Sequence, residues 1–230
     1  MKDVSCIMAI HNEEKYLPYS LRPFLQTNFD LIFVLDRCTD SSEKIIRKFM
    51  IKRRNFKITY KNKEGVFSPN PAFDAFLYGS GFASGEYIYW IGADFVVPIA
   101  MFKYRPEKEA LKFEYIDYPN HLGYAWFKFL SHFAKHYTCE AFRREHLSRG
   151  KYHFPVEEEI VARAPEDKFQ LISSVELLHL RLNQNRVRHY VQGYIRRLKR
   201  VKFLRVLLHS ILFRKPQVIV GYLHATLEGK

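Results

Sequence analysis

Short apolar runs alternate with amphipathic stretches through the first hundred residues. The runs are rich in aromatic and β-branched side chains, which is typical of strands buried on both faces. The strand-like runs are residues 4–10, 31–35, 56–60 and 87–91. The stretches with helical spacing are residues 16–26, 40–50 and 72–83. This alternation predicts an α/β fold with a mostly parallel, doubly wound sheet flanked by helices.

After Pro98 the pattern is less regular. Residues 113–118 alternate and predict an edge strand, residues 124–136 predict a helix, and residues 177–182 predict a strand. Apolar residues then recur every three or four positions from residue 187 to 212, which predicts one amphipathic helix. A further short apolar helix is predicted at residues 218–227. We therefore expect two domains, an α/β domain at residues 1–182 and a basic helical tail at residues 183–230.

The net charge of +13 comes from this tail. Between Glu176 and Glu228 there are eleven Lys and Arg residues and no acidic residue, whereas the rest of the chain holds 26 basic and 24 acidic residues. A basic amphipathic helix can lie in the interface of an anionic membrane. It can equally pack its apolar stripe on the α/β domain and leave the charges in water. Nucleic acid is a third and less favoured partner, since no helix-turn-helix, zinc module or RNA-recognition signature is present.

Cysteine usage and the hydrophobic runs bear on location. Three cysteines, Cys6, Cys38 and Cys139, are too few and too far apart for a disulfide framework or a zinc site. The N-terminus enters a strand-like pattern at once, so we expect no signal peptide. No apolar run approaches the ~18–20 residues that cross a bilayer. These features predict a cytoplasmic protein, peripheral at the membrane if the tail binds lipid.

Two of the predicted strands are followed by acids, Asp36 and Asp94. In open α/β sheets, ligands collect beyond the carboxyl ends of the strands. A carboxylate there is costly unless it meets solvent, a partner or a cation. Each aspartate could simply open a turn. Their joint occurrence favours a shared site, in which the two acids lie side by side at one edge of the sheet.

A set of motifs follows one another along residues 3–182. They are His11–Glu14 (HNEE), Asp36–Asp40 (DRCTD), Gly79 with Ala83–Ile88, Ala93–Asp94, Ala141–Arg144, Glu157–Glu159 and His179–Arg181. In this order the chain resembles the inverting, family 2-type glycosyltransferases of the GT-A fold. The resemblance implies that the protein moves a sugar from a nucleotide-diphosphate sugar to an acceptor hydroxyl with inversion. A glycan, a lipid-linked molecule or a small molecule could be the acceptor.

The resemblance also assigns residues to the donor. It implies a nucleotide-sugar site at His11, Asn12, Glu13, Asp36 and Asp94, with the base and ribose against Asn12, Glu13 and Asp36. Transfer needs a grip on the nucleotide, neutralisation of the departing diphosphate and a base for the acceptor hydroxyl.

A hard divalent ion, Mg²⁺ or Mn²⁺, suits the neutralisation of the diphosphate, because it binds carboxylates and phosphates together. The resemblance implies Asp94 as a ligand of that ion and His179 as an additional one. It implies Glu157 or Glu158 as the general base, whose pKa burial or like-charged neighbours would raise.

Several positions depart from the family pattern. Gly92 stands where the first acid of the usual DxD motif would be, and Arg37 replaces the second acid of the usual DD pair. Arg37 could contact phosphate instead. The base motif offers only glutamates. A relative that keeps the fold but binds a sugar nucleotide or a partner without catalysis is therefore an alternative.

Overall fold

The computed structural model describes residues 3–51, 55–61, 71–107, 110–118, 121–131, 136–148, 169–181, 186–198, 200–212 and 215–229. The chain divides into two compact units. The first comprises Met1–Pro119 and Lys135–Leu180, and the second comprises Asn120–Ala134 and Arg181–Lys230. The second unit includes a segment from the middle of the chain besides the C-terminal residues. The division into an α/β domain at residues 1–182 and a tail at residues 183–230 stays a prediction.

Strands and helices alternate through the first unit. In chain order the elements are β1 (Val4–Ile10), α1 (Leu17–Ser20), a 3₁₀ helix (Arg22–Gln26), β2 (Asp30–Leu35), α2 (Ser42–Met50), β3 (Phe56–Tyr60), α3 (Pro71–Ser80), β4 (Tyr87–Gly92), β5 (Phe95–Val96), a 3₁₀ helix (Ile99–Lys103), β6 (Ala110–Asp117), α4 (His121–Ser131), β7 (His136–Arg143), α5 (Arg144–Ser148), β8 (Phe169–His179), α6 (Arg186–Leu198), α7 (Phe203–Leu212) and α8 (Pro216–Leu227). Helices α4, α6, α7 and α8 belong to the second unit.

One eight-stranded sheet forms the centre of the first unit, in the order β3-β2-β1-β4-β7-β6-β8-β5. The pairs β3–β2, β2–β1, β1–β4 and β6–β8 are parallel, and the other three are antiparallel. Apolar side chains on the two faces enter separate core clusters, as Met8 and Ile7 of β1 do. The mostly parallel α/β sheet flanked by helices is therefore confirmed, and its central strands are buried on both faces.

Three predicted elements differ in the structure. Strand β6 pairs with β7 on one side and β8 on the other, so it is an interior strand and not an edge strand. Glu114, a polar position of the alternating residues 113–118, is buried, and so is Lys112 before it. The helix predicted at residues 16–26 is a short α-helix followed by a 3₁₀ helix, each with a proline in its first turn. The helix predicted at residues 124–136 ends at Ser131, and His136 begins β7.

The second unit is helical, and its main helix also differs from the prediction. The continuous helix expected at residues 187–212 is divided into α6 and α7, with Arg200 between them at a φ of 54°. That left-handed backbone conformation ends a helix. No helix among the described residues is both long and apolar enough to cross a membrane.

Helices α6 and α8 approach each other closely at two glycines. A Cβ added to Gly193 would lie 1.9 Å from the carbonyl oxygen of Val218, and one added to Gly221 would lie 1.9 Å from that of Tyr190. The helix backbones therefore touch at this crossing, and any larger residue would force them apart.

Candidate functional site

The loops that follow β1 and β2 turn at equivalent positions. Asn12 and Arg37 each lie two residues beyond the end of their strand and have φ angles of 56° and 51°. The side-chain oxygen of Asn12 accepts hydrogen bonds from the backbone N–H groups of Thr39 at 2.8 Å and Asp40 at 3.3 Å. Asn12 thus fastens the first loop to the second.

Further hydrogen bonds join the same two loops. The backbone N–H of Glu13 donates to Ser42 Oγ at 2.8 Å, and that of Glu14 donates to Asp40 Oδ2 at 2.9 Å. In return, the backbone N–H of Ser41 donates to Glu14 Oε2 at 2.9 Å. The HNEE and DRCTD motifs therefore form one preorganised surface at the carboxyl ends of β1 and β2.

Asp36 lies buried at the end of β2, and both of its carboxylate oxygens are occupied. Arg37 Nε donates to Asp36 Oδ1 and Arg37 Nη2 to Asp36 Oδ2, each at 3.0 Å. The backbone carbonyl of Asp36 accepts from His11 Nδ1 at 2.7 Å. The Arg37 side chain is 46% exposed, so its outer edge faces solvent. A guanidinium at this position can bind a phosphate, which the second acid of a DD pair could not.

Asp36 and Asp94 share the carboxyl edge of the sheet, but they are not side by side. Strand β1 runs between β2 and β4, with Ile10 opposite Leu35 and Ala9 opposite Gly92. Two strand spacings amount to about 10 Å. The prediction of adjacent acids was therefore wrong, and the two aspartates lie on opposite sides of the end of β1.

Asp94 instead contacts His179, which in turn contacts Asp117. His179 ends β8, where it is paired with Phe95 of β5 on one side and Asp117 of β6 on the other. His179 Nδ1 lies 2.6 Å from Asp117 Oδ1, and His179 Nε2 lies 3.3 Å from Asp94 Oδ2. We call this Asp94–His179–Asp117 cluster the carboxylate–histidine cluster. It places one imidazole between two carboxylates.

Two aromatic rings bury the imidazole of His179, and the two acids raise its pKa. The Phe95 ring stacks on it with centroids 4.5 Å apart, and the Tyr115 ring meets it edge-on at 5.6 Å. The His179 side chain is only 12% exposed. Burial alone would lower the pKa of His179, but the hydrogen bonds and charges of Asp117 and Asp94 outweigh it and raise the pKa to about 9. The isolated cluster therefore holds a protonated histidine at neutral pH.

The carboxylate–histidine cluster fits a divalent cation. Two ligands ~2.1 Å from an octahedral ion and at right angles to each other lie about 3 Å apart, close to the observed 3.3 Å between His179 Nε2 and Asp94 Oδ2. Asp117 would then hold the Nδ1 proton, which keeps Nε2 available as a ligand. Within the described residues, no group of three or more His, Cys, Asp or Glu side chains is arranged to hold a metal. An ion here would need water or substrate oxygens to complete its shell, as Mg²⁺ commonly does.

The space of the missing DxD acid is filled by Phe95. A Cβ on Gly92 would lie 2.7 Å from Phe95 Cδ2 and 2.9 Å from Asp94 Oδ1. An acid at Gly92 would therefore collide with the ring that stacks on His179. The histidine site and the usual first acid exclude each other in this arrangement.

The sequence reading missed Asp117. Its only sequence signal is that of an acid near the end of the alternating residues 113–118, which predict an edge strand and no site residue. The general-base candidates Glu157 and Glu158 lie outside the described residues.

Beyond Asp94, Val96 forms one wall of an open cavity of about 370 Å³. The other lining residues are Tyr19, Arg22, Pro23 and Gln26.

Comparison with known families finds one match at the sequence level. Residues 5–104 match the family model described as "Glycosyl transferase family 2". The matched segment runs from β1 to just beyond β5, and so it includes both crosslinked loops and Asp94. The family resemblance is thereby confirmed over this segment. A search of curated protein sequences gives no match.

Several solved structures align with this chain at low sequence identity. S. aureus TarS aligns with a TM-score of 0.52 and 16% identity over 86% of this chain and 40% of TarS. Its fragment 1-349 in complex with UDP aligns with a TM-score of 0.52 and 16% identity over 86% of this chain and 65% of the fragment. The mannosyltransferase PcManGT from Pyrobaculum calidifontis, in complex with GDP-Man and Mn²⁺, gives 0.55 and 15% over 96% of this chain and 70% of that one. At such identities these likenesses establish the GT-A fold.

Proposed function

Because residues 5–104 carry a glycosyl transferase family 2 domain on a GT-A fold, we propose that the protein transfers a sugar from a nucleotide-diphosphate sugar to an acceptor hydroxyl with inversion. The observation that carries this proposal is the carboxylate–histidine cluster at the carboxyl edge of the sheet. We propose two residues of this cluster, Asp94 and His179, as metal ligands near the hydrogen-bonded loops of β1 and β2. Complexes of similar folds contain UDP or GDP-Man, which supports a nucleotide-sugar donor.

The two loops after β1 and β2 supply the nucleotide side of the proposed site. His11, Asn12, Glu13 and Asp36 shape this surface, and the hydrogen bonds to Asn12 and Asp36 keep it rigid before the donor binds. Arg37 neutralises Asp36 and extends its guanidinium towards solvent. In this proposal the outer N–H groups of Arg37 donate hydrogen bonds to the diphosphate.

Asp94 and His179 are the proposed ligands of Mg²⁺ or Mn²⁺, and Asp117 orients His179. The ion would neutralise the diphosphate as it leaves. The Mn²⁺ in the PcManGT complex supports a divalent cation for this fold. Glu157 or Glu158 is the proposed base that takes the proton from the acceptor hydroxyl, and attack opposite the leaving diphosphate would invert the anomeric centre.

The second unit supports a proposed location. Its basic composition suits attachment to an anionic membrane, so we propose a cytoplasmic, peripheral protein with a lipid-linked or membrane-proximal acceptor. Glycans and small molecules are the other acceptor classes. In this proposal the first unit catalyses and the helical second unit determines where catalysis occurs.

Incubation with UDP-, GDP- and dTDP-sugars in the presence of Mn²⁺ tests the central proposal. Release of the nucleoside diphosphate from one donor class, abolished by Asp94→Asn, is the expected result. Asp74→Asn is a matched control, because Asp74 is a partly exposed acid on α3 that lies 3.9 Å from Lys61. Folded protein that neither binds nor consumes any donor would contradict the proposal.

A second candidate function is favoured by Gly92. The absent acid could mark a relative that binds a sugar nucleotide, or a partner, without transferring the sugar. This alternative predicts that Asp94→Asn leaves the cellular role of the protein intact. Loss of the cellular phenotype together with loss of turnover would exclude it.

A further inference from the structure

Helix α7 presents an apolar strip to solvent. Leu204, Leu208 and Ile211 are 65%, 51% and 62% exposed, and they recur at the i, i+4, i+7 spacing that places side chains on one helix face. Phe203 at the start of the helix is not part of this strip, because its ring contacts that of Tyr222 of α8, with centroids 5.6 Å apart. Such a strip is larger than the isolated surface leucines that most proteins carry.

This strip is separate from the face that holds α7 in its unit. Val206 and Ser210 are the buried residues of α7, and Val206 packs with Val218 and Tyr222 of α8. The apolar contact that α7 needs in order to fold is therefore made by the opposite side of the helix. The outward strip must be explained by something other than packing within the unit.

The surrounding charge identifies the occupant. Lys202 and Arg205 are exposed beside the strip, and residues 177–227 contain no acid at all. A second copy of this chain would bring two surfaces of the same sign together, which costs free energy. An anionic bilayer accepts the leucines in its apolar region and the cations among its headgroups. Helix α7 has 10 residues, which suits a helix lying in the interface rather than crossing it.

We propose that the outward face of α7, formed by Leu204, Leu208 and Ile211, docks the protein on an anionic lipid surface. This specifies the location suggested above, and it does not depend on sugar transfer. The amphipathic stripe predicted from sequence extended back to residue 187. Gly193 of α6 packs against α8, and the lipid-binding face that we propose lies on α7.

Co-sedimentation with vesicles tests the proposal, with the full chain and no sugar nucleotide. The wild-type protein is expected to bind phosphatidylglycerol-containing vesicles and to bind pure phosphatidylcholine vesicles more weakly. The double variant Leu204→Glu/Leu208→Glu should lower binding by at least ~10-fold, because it replaces buried apolar contact with like charge. Ile51→Glu is the control, since Ile51 is an 83% exposed apolar residue of the first unit. It should bind as the wild type does.

A charge-reversal pair separates the electrostatic part. Lys202→Glu/Arg205→Glu should also lower binding to the anionic vesicles by at least ~10-fold. Lys44→Glu/Lys48→Glu makes the same change in net charge on exposed positions of α2 and should leave binding unchanged. Circular dichroism of each variant checks that the helices are retained.

Three results would overturn the proposal. The first is wild-type protein that stays in the supernatant with anionic vesicles. The second is a dimer in sedimentation velocity that the leucine variant dissociates, which would assign the strip to a second copy. The third is duplex or single-stranded nucleic acid bound more tightly than vesicles and lost with Lys202→Glu/Arg205→Glu, which would assign the charge to nucleic acid. None of these results bears on donor turnover, so the transferase proposal is tested separately.

Discussion

The two units differ in how their charged residues are paired. In the first unit the charged groups of the candidate site are matched inside the fold, as Asp36 is by Arg37 and as Asp94 and Asp117 are by His179. In the second unit, residues 181–227 contain basic residues and no acid, and α7 leaves an apolar strip exposed to solvent. Paired acidic and basic side chains organise a site for a small ligand. An excess of basic residues beside exposed leucines instead predicts binding to a large anionic surface.

The units also differ in how their residues come together. The carboxylate–histidine cluster collects residues 94, 117 and 179, which strand pairing alone brings together. The lipid-binding face takes all its residues from one ten-residue helix. A substitution in the cluster should therefore change chemistry with little effect on the second unit, and the reverse should hold for the helices. The following predictions test that separation in order of decreasing effect.

Removing either proposed metal ligand should have the largest effect. Asp94→Asn and His179→Ala should each lower sugar transfer by ~1,000-fold, since a metal ion contributes several kcal/mol to stabilising a leaving diphosphate. Steady-state release of nucleoside diphosphate measures this loss. Vesicle binding by the same variants should be unchanged. Transfer reduced by less than ~3-fold would remove both residues from the mechanism.

The glycine crossing in the second unit should be the next most sensitive position. Gly193→Ala places a Cβ 1.9 Å from the Val218 carbonyl oxygen, so the helix backbones must separate. Overpacking of this kind costs about 1–3 kcal/mol, and we expect the upper end because backbone cannot yield as a side chain can. Amide exchange in α6 and α8 should accelerate while exchange in β1 and β4 stays slow.

Gly81→Ala is the matched control for that experiment. Its Cβ would lie 3.5 Å from the Tyr78 carbonyl oxygen, an ordinary contact. Unchanged exchange in Gly193→Ala, or equal acceleration in both units, would show that the crossing is looser than described or that the units do not open separately.

Asp117 should affect the metal more than the fold. Asp117→Asn keeps the shape of the side chain but weakens its grip on His179 Nδ1, and loss of such a partner typically lowers metal affinity by ~10–100-fold. Titration of Mn²⁺ against the protein measures the affinity without any turnover. A purely structural role predicts a lower melting temperature with unchanged Mn²⁺ affinity, which would contradict the assignment.

Restoring the missing acid at position 92 should not increase the affinity for a metal ion. Gly92→Asp supplies the family's first DxD residue, yet its Cβ would meet Phe95 at 2.7 Å and disturb the ring that stacks on His179. We expect a loss of ~1–2 kcal/mol in unfolding free energy, because Phe95 can yield partly, and no gain in Mn²⁺ affinity. Tighter Mn²⁺ binding with unchanged stability would show that Phe95 moves freely.

The strands of the first unit could be predicted because burial dominates them. The run at residues 4–10 coincides with β1, since a strand buried on both faces leaves an unbroken apolar pattern. The run at residues 56–60 coincides with β3, an edge strand whose side chains are only partly buried. The same rule failed for β6. Polar residues that alternate with apolar ones are typical of a strand with one face in solvent, but Lys112 and Glu114 of β6 are buried. Nothing local in the sequence shows that β6 lies between β7 and β8.

The site itself could be predicted only in part. Asp94 and His179 were proposed as partners from the resemblance, but their link to Asp117 depends on the register of β6 and β8. That register shifts between Phe113 and Glu114, which no residue spacing reveals. The break at Arg200 was hidden for a similar reason, because the apolar spacing continues through a residue whose backbone has left the helix.

We propose that Asp94 and His179 together hold a divalent ion, and that a nucleoside diphosphate completes the coordination shell of this ion. Electron paramagnetic resonance of Mn²⁺ tests it most directly, since the signal of the free ion falls when the ion is bound. With UDP or GDP present, the wild-type protein should bind one Mn²⁺ per chain, and Asp94→Asn and His179→Ala should bind none at the same concentrations. Equal binding by all three proteins would contradict the account.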